Sequence, residues 1–236
     1  MLSVAVPKKL CAIWLHGKWV FNMKAELKLW HCHNSRSLRP LWTLEELGLG
    51  YDLIELKFPP RFLEKEFLQE NVLGTVPYFV DGDVTMTEST GICQYLEDRY
   101  GNRELSLAVD HPEYGEFLNW LHHSDATLTF PQTIYLRYAK FERPENLNAK
   151  VAEDYKHWFL TRLKRLNMHL ENRQYLCAEQ FTIADIAITY ALYLGRLQGF
   201  DKEYTAQVIA YLDRQIERPA FQKCLLMTKL ADTFKS

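Results

Sequence analysis

The sequence predicts two structural classes in succession, an α/β N-terminal half followed by an all-helical half. In the first half, short apolar strand patterns alternate with helical patterns between residues 27 and 100. After Asn102 no further strand pattern occurs, and apolar residues recur at helical spacing, most clearly from Val151 to Leu170. Strands separated by helices favour parallel pairing, whereas a tight Asp81-Gly82 turn between apolar runs indicates an antiparallel hairpin.

The elements of the first half follow in the order β-α-β-α-β-β-α. A helix that ends at Gly48 fits the preference for glycine after a helix C-terminus. The predicted strands are Leu27–His31, Tyr51–Leu56, Tyr78–Val80 and Val84–Thr87, and the predicted helices are Leu38–Leu47, Phe62–Glu70 and Ser89–Tyr100.

The second half is predicted to be a helical bundle. Its first helix, His111–Lys140, has a predicted kink at Pro131, and Thr182-Ile183-Ala184-Asp185 is a capping box at a helix start. The predicted domain bounds are 1–22, a poorly ordered extension; 23–102, the α/β domain; 103–110, a linker; and 111–236, the helical domain. Further helices are expected over Thr182–Leu197 and Tyr204–Ile216.

Composition and charge exclude several functional classes. The net charge of −2 over 236 residues leaves no basic footprint for nucleic acid, and no apolar run is long enough for a membrane span. The five cysteines have neither disulfide nor metal-ligand spacing, which suits a reducing, cytoplasmic compartment. His31, His33, His122 and His123 lack acidic or cysteine partners at ligand spacing, so we predict no metal site.

The turn HCHNSRSLRPLW leads from the first strand into the first helix. Pro40 is tolerated only in the first helical turn, which places the N-cap near Ser37 and predicts that its hydroxyl accepts a backbone N–H. Ser35 is then free in the turn, where its hydroxyl can donate to an anion near the positive end of the helix. From the pattern alone, Ser35 is also compatible with an ordinary turn serine.

Cys32 in the same turn is a rival candidate. Cys32-His33-Asn34-Ser35 is a C-x-x-S pattern ahead of a helix, and thiols near helix N-termini have lowered pKa values. The cysteine could act as a redox nucleophile, or it could be a small buried residue at the end of the strand.

The stretch GTVPYFVDGDVTMTEST combines three signals. Pro77 belongs at the start of a strand because proline cannot donate to a sheet ladder. Asp81-Gly82 forms the hairpin turn. Glu88 and Ser89 open a helix whose first backbone N–H groups are available to an anion.

These features together resemble the soluble glutathione S-transferases over most of the chain, from about residue 27 to about residue 226. The resemblance is carried by NSRSLRPLWTLEELGLGYDL, by LGTVPYFVDGDVTMTESTGICQYLEDRYG and by FTIADIAI. It implies a thioredoxin-like N-terminal domain followed by an all-helical bundle domain. It also implies a detoxifying transferase with glutathione as co-substrate and no tightly bound cofactor.

The resemblance also implies a role for each site residue. The peptide bond between Val76 and Pro77 is implied to be cis, so that the Val76 backbone pairs with the cysteinyl part of glutathione. Glu88 would take the γ-glutamyl ammonium, and Ser89 with the helix N-terminus its carboxylate. Ser35 is the implied catalytic residue that stabilises the thiolate.

Other implications concern the second substrate and the assembly. The second substrate would be a small, largely apolar electrophile in the cleft between the halves, near Tyr135 and Tyr138, and the protein would be a homodimer. Thr75 stands where the family usually has lysine, so the residues that bind the glycyl carboxylate are not assigned. Two alternatives stay open: a thiol transferase that uses Cys32, and a binding protein without turnover.

Overall fold

The computed structural model describes the backbone of residues 11–15 and 18–22 and all atoms of residues 27–227. Strands β1, Cys11–Leu15, and β2, Lys18–Asn22, form a separate antiparallel pair. Both strands fall within the segment 1–22, which we predicted to be a poorly ordered extension. That prediction and the predicted domain bounds stay predictions.

The N-terminal half contains a four-stranded sheet in the order β4-β3-β5-β6. Strand β3 is central, parallel to β4 and antiparallel to β5, and β5 and β6 form the hairpin predicted at Asp81-Gly82. The strands are β3, Leu27–His31; β4, Asp52–Glu55; β5, Tyr78–Asp81; and β6, Val84–Met86. With its flanking helices this is the predicted thioredoxin-like fold.

Helices cover both faces of the sheet. Helices α1, Leu38–Glu46, and α4, Ser89–Tyr100, pack on each other over the face that buries Leu29 and Phe79. On the other face Trp30 contacts the ring of Phe67. The single helix predicted over Phe62–Glu70 is wrong, because the chain forms two short helices there, α2, Pro60–Leu63, and α3, Phe67–Glu70.

The C-terminal half is helical, as predicted. Helix α8 is buried along most of its length and packs on α1, which joins the two halves in one apolar core. The helices are α5, Tyr114–His123; α6, Phe130–Leu136; α7, Ala149–His169; α8, Ile183–Leu197; α9, Ala206–Ile216; and α10, Pro219–Met227. Among the helices described here, none combines the length and apolarity that crossing a bilayer requires.

Two details of this half bear on the site. The predicted capping box is confirmed. The Asp185 carboxylate accepts the backbone N–H of Thr182, and the Thr182 hydroxyl accepts the backbone N–H of Ala184. The long helix is interrupted before Pro131, not at it, by a π-helical turn at Ser124–Thr129, and a second π-helical turn follows at Arg137–Phe141. Pro131 is the second residue of α6 and directly follows this π-helical turn.

Candidate functional site

Three segments that carry predicted site residues meet at one end of the sheet: the turn after β3, the start of β5 and the start of α4. The pairing of Trp30 with Tyr78 places the start of β5 beside the end of β3, so Val76 and Pro77 lie next to the turn that follows His31. The Val76–Pro77 peptide bond is cis, which confirms that implication of the resemblance; the Phe58–Pro59 bond is also cis.

The loop before Val76 is held by its own side chains. Asn71 donates from its amide to the carbonyl of Thr75 at 2.9 Å and accepts from the backbone N–H of Leu73 at 3.1 Å. Gly74 has φ +56°, and a Cβ atom there would lie 2.6 Å from Cβ of Arg61. The Val76 backbone is therefore presented by a loop of fixed shape.

The serines of the first turn are connected differently from our prediction. Ser37 is at the N-cap position, but its hydroxyl makes no capping hydrogen bond to the first turn of α1. Its Oγ atom lies 2.8 Å from Nδ1 of His31 and 2.6 Å from Oγ of Ser35 instead. The prediction that Ser35 is free is wrong, since its Oγ also accepts the backbone N–H of Ser37 at 3.3 Å.

The helical half supports this turn from behind. Asn34 has φ +57° and is buried, and its carbonyl accepts a hydrogen bond from the hydroxyl of Tyr190 on α8 at 3.4 Å. The hydroxyl of Tyr193 reaches the amide oxygen of Asn34 at 3.5 Å. Ser35 therefore follows a residue that α8 fixes, while Ser35 itself is half-buried.

Cys32 is buried, with 1% of its surface exposed. Burial, together with the nearby Glu64 carboxylate, raises the pKa of its thiol to about 12. Cys32 follows directly after the last residue of β3, the prediction of a small buried residue is confirmed, and its thiol is protonated at neutral pH.

Glu88 and Ser89 lie at the start of α4 as predicted. Glu88 is the N-cap residue, and its exposed side chain makes no capping hydrogen bond. Ser89 is the first helical residue and is 2% exposed. The helix has twelve residues, so its N-terminus offers both backbone donors and a positive dipole end beside a free carboxylate.

Arg39 is a residue that our sequence reasoning missed. It is completely buried, and its Nη1 atom donates to Oγ of Ser89 at 3.0 Å and to Oδ1 of Asp125 at 2.5 Å. Its Nη2 atom donates to Oγ1 of Thr129 at 2.9 Å and to the carbonyl of Ala187 at 3.2 Å. One guanidinium therefore joins α1, α4, the first π-helical turn and α8.

Asp125 carries the opposite charge next to the guanidinium of Arg39. Burial by itself would raise the pKa of the Asp125 carboxyl, but the Arg39 guanidinium holds that pKa below its ordinary value. The other carboxylate oxygen of Asp125 accepts from the hydroxyl of Thr90 at 3.4 Å. A partly buried ion pair thus contacts Ser89 through Arg39.

Two contacts cross between the halves, and the first involves Arg36, the residue after Ser35. Arg36 donates to Oγ1 of Thr133 at 2.9 Å, and the ring of Phe58 lies 5.5 Å from that of Phe141. Tyr135 contacts the ring of Phe200 inside the helical half, at 4.7 Å between centroids. Since residues two apart lie on nearly opposite sides of a helix, Tyr135 and Thr133 face different ways.

Tyr135 and Tyr138 line a cavity of about 340 Å³ between α6 and α7. The rest of its lining consists of Ala139, Leu147, Ala149, Ala152 and Glu153. The two tyrosines are therefore brought together, in a largely apolar pocket that belongs to the helical half.

The histidines do not form a metal centre in the described residues. His31 is buried against Ser37, and His123 packs edge-on against Trp120. Across the described part of the chain, no group of three or more histidine, cysteine or acidic side chains is placed to hold a metal ion.

Comparison with known proteins gives consistent matches. The family model described as "Glutathione S-transferase, N-terminal domain" matches residues 25–98. Glutathione S-transferase 2 of Schizosaccharomyces pombe is 30% identical over 197 residues, which cover 80% of this chain and 84% of that protein.

Two further matches show the range of proteins that share this sequence pattern and fold. Elongation factor 1-gamma 2 of rice, Oryza sativa, is 27% identical over 85% of this chain but only 48% of its own length. The solved structure of glutathione transferase URE2P6 from Phanerochaete chrysosporium, in complex with oxidized glutathione, is 25% identical with a TM-score of 0.74. That alignment covers 86% of this chain and 96% of the other.

Proposed function

Because the chain belongs to the glutathione S-transferase family, we propose that it adds the glutathione thiolate to an electrophilic, largely apolar second substrate. The observation that carries this proposal is the contrast between two residues of the first turn, Ser35 and Cys32. Ser35 presents a half-buried hydroxyl just before α1, whereas Cys32 is buried with a raised pKa. A serine mechanism is therefore better supported than a cysteine one.

Glutathione is proposed to bind along the end of the sheet. The backbone N–H and C=O of Val76 pair with its cysteinyl part, beside the cis bond to Pro77. The exposed Glu88 carboxylate takes the γ-glutamyl ammonium, and Ser89 with the first turn of α4 takes the carboxylate. Since Arg39 donates to Oγ of Ser89, the hydroxyl proton of Ser89 remains available to that carboxylate.

Ser35 is the proposed catalytic residue. A free thiol with a pKa of about 8.5 is only a few per cent ionised at neutral pH, and the thiolate is the nucleophile. A hydroxyl that donates to the sulfur favours the thiolate, and the N-terminal end of α1 adds to this effect. A decrease of about two pKa units corresponds to roughly 2.7 kcal/mol of differential interaction.

The second substrate is proposed to bind near Tyr135 and Tyr138. Their cavity of about 340 Å³ has an apolar wall, which suits a small hydrophobic molecule. The cleft bounded by the Phe58–Phe141 contact, which joins the two halves, is a competing location. Tyr138→Ala and Phe141→Ala distinguish them, because the variant that lines the true site raises KM for the electrophile and leaves KM for glutathione unchanged.

A cytoplasmic homodimer completes the proposal. Among the described residues, Cys32, Cys93, Cys177 and Cys224 form no disulfide, which fits a reducing compartment. The dimer is supported by family membership, in which the N-terminal domain of one subunit packs on the C-terminal domain of the other. A solution mass near that of one 27.9 kDa chain at micromolar concentration contradicts this assignment.

The test is conjugation of glutathione to a generic aryl halide by wild type, Ser35→Ala and Cys32→Ser. We expect Ser35→Ala to lose roughly ten- to a hundredfold in kcat/KM, as one to two pKa units imply, and Cys32→Ser to stay near wild type. Loss in Cys32→Ser, above all with mixed disulfides as substrates, contradicts the serine mechanism and favours a thiol transferase. Glutathione binding without turnover in wild type favours the alternative of a binding protein.

A further inference from the structure

His31, Ser37 and Ser35 form a chain of hydrogen bonds that ends at the proposed catalytic hydroxyl. His31 and Ser37 are completely buried, and Ser35 is half-buried. The distances are 2.8 Å from Nδ1 of His31 to Oγ of Ser37 and 2.6 Å from there to Oγ of Ser35. A chain of this kind transmits the orientation of one donor to the next.

The imidazole of His31 is neutral. Burial, followed by the neighbouring His33, lowers the pKa of His31 to about 3, so at neutral pH one ring nitrogen carries a proton and the other does not. Among the described residues, the Nε2 atom is buried without a hydrogen-bond partner. A buried donor without a partner is rarer than a buried acceptor without one, which favours the proton on Nδ1.

With the proton on Nδ1, the direction of every bond in the chain is fixed. Oγ of Ser37 then accepts from His31 and from the backbone N–H of Cys32, the latter at 3.3 Å, which fills both of its lone pairs. Its own proton can go to Oγ of Ser35 at 2.6 Å or to the carbonyl of Cys32 at 3.5 Å. The shorter contact has the length of a good O–H···O bond, and the longer one does not.

The lone pairs and the proton of the Ser35 hydroxyl can be assigned in the same way. Its Oγ atom accepts the hydroxyl of Ser37 and the backbone N–H of Ser37, at 2.6 and 3.3 Å. Both lone pairs are then occupied, so the one hydroxyl proton of Ser35 remains to be donated. The opposite tautomer of His31 would instead let Ser35 donate to Ser37, with no proton left for a ligand.

We infer that His31 and Ser37 are positioning residues that hold the Ser35 hydroxyl as a donor toward the glutathione thiolate. This inference rests on the proposed function and adds two residues to it. Neither residue touches the substrate; each acts by occupying the acceptor sites of the next oxygen. No proton leaves the chain during the reaction, because the Ser35 proton stays on its oxygen and only donates to the sulfur.

The test measures the pKa of the bound glutathione thiol from its thiolate absorbance as a function of pH. Ser37→Ala is expected to raise that pKa by about one unit, as a lost hydrogen bond implies, so that the thiolate fraction at pH 7 falls about threefold from a wild-type pKa of about 6.5. In a Ser35→Ala background the same substitution is expected to change nothing further. Affinity for S-methylglutathione, which has no thiol, should stay within about twofold of wild type, because no binding contact is removed.

His31 offers a matched pair of variants. Asn and Leu have similar size, but only the amide of His31→Asn can donate to Ser37, so it should retain most of the low thiol pKa. His31→Leu should behave like Ser37→Ala. If His31→Leu does not fold, the comparison of Ser37→Ala with the double variant decides the question by itself.

Three outcomes overturn the inference. An unchanged thiol pKa in Ser37→Ala, with a raised one in Ser35→Ala, overturns the positioning role and leaves the proposed function intact. An equal effect of Ser37→Ala with and without Ser35 shows a general structural role. A thiol pKa in wild type equal to that of free glutathione overturns the proposed function and the positioning role together.

Discussion

The guanidinium of Arg39 lies 2.5 Å from the carboxylate of Asp125, a residue 86 positions later in the chain, and 3.0 Å from the hydroxyl of Ser89. The same side chain therefore joins the two halves of the molecule and supports a proposed ligand contact. It lies 4.7 Å from the centre of the Tyr190 ring, which closes the pocket around its charge. We therefore expect stability and the proposed glutathione binding to be coupled through one buried residue.

Arg39→Met is expected to lower the free energy of unfolding by about 3–5 kcal/mol, because it leaves Asp125 as an uncompensated, partly buried charge. Arg39→Lys should recover only part of this loss, since an ammonium cannot reach acceptors on both sides of the planar guanidinium. Urea denaturation measures both variants. Arg162→Met, an exposed arginine that contacts Trp158, is the control and should change stability by less than about 0.5 kcal/mol. Equal effects at the two positions contradict this account.

Gly74→Ala is expected to destabilise the protein and to weaken glutathione binding. The residue has φ +56°, and the new methyl group would overlap the side chains of Arg61 and Leu68 in the loop before Val76. Gly48→Ala is the matched control, since Gly48 has φ +62° and nothing within 4 Å of the added carbon. Both variants lose about 1 kcal/mol from the backbone conformation. Only Gly74→Ala should lose more and lower the affinity for S-methylglutathione.

Acid is expected to remove a contribution from Glu113. Hydrogen bonds from Arg173 and then from the backbone N–H of Ala178 lower the pKa of its carboxyl to about 2. A carboxyl whose pKa is lower in the folded state stabilises the protein above its unfolded pKa, and this contribution disappears as the pH falls toward about 2. The stability difference between wild type and Glu113→Gln should therefore shrink from about pH 5 downward. Glu145→Gln, at an exposed position, is the control. A difference that does not depend on pH contradicts the assignment.

Asp185→Ala is expected to lower the free energy of unfolding by on the order of 3 kcal/mol. The carboxylate accepts the backbone N–H groups of Leu176 and Thr182 and the hydroxyl of Tyr211, all of which would be left buried and unpaired. Asp213→Ala, on the exposed side of α9, removes only an ion pair with Arg196 and should cost less than about 1 kcal/mol. Thermal unfolding of both variants checks the prediction. A similar loss at both positions would show that the capping box is not the cause.

Much of the fold could be predicted because its signals are local. Helix α4 begins and ends at the predicted residues, Ser89 and Tyr100, and the capping box lies where its spacing indicates. The strand-start signal at Pro77 and the hairpin-turn signal at Asp81-Gly82 also act over a few residues. The short helices α2 and α3 were merged in the prediction because four-residue helices carry too little periodicity to separate.

The site was less predictable because its partners are distant in sequence or depend on side-chain rotamers. Arg39 reads as an ordinary first-turn arginine, and its burial depends on Asp125 and Thr129 in another domain. The Ser37 hydroxyl could have capped α1, but it turns back toward His31 and Ser35. No periodicity in the sequence distinguishes these two orientations.

The number of residues in the π-helical turn at Ser124–Thr129 determines which side chains of this helix face the N-terminal half. A π-helical turn holds one residue more than an α-helical turn, so every later side chain is rotated by about 100° relative to a regular helix. Asp125 and Thr129 in this turn reach Arg39, and Thr133 just beyond it reaches Arg36. Deletion of a single residue within this turn would rotate the side chains that follow it away from Arg36 and Arg39. The number of residues in the turn therefore matters as much as the identity of any side chain in it.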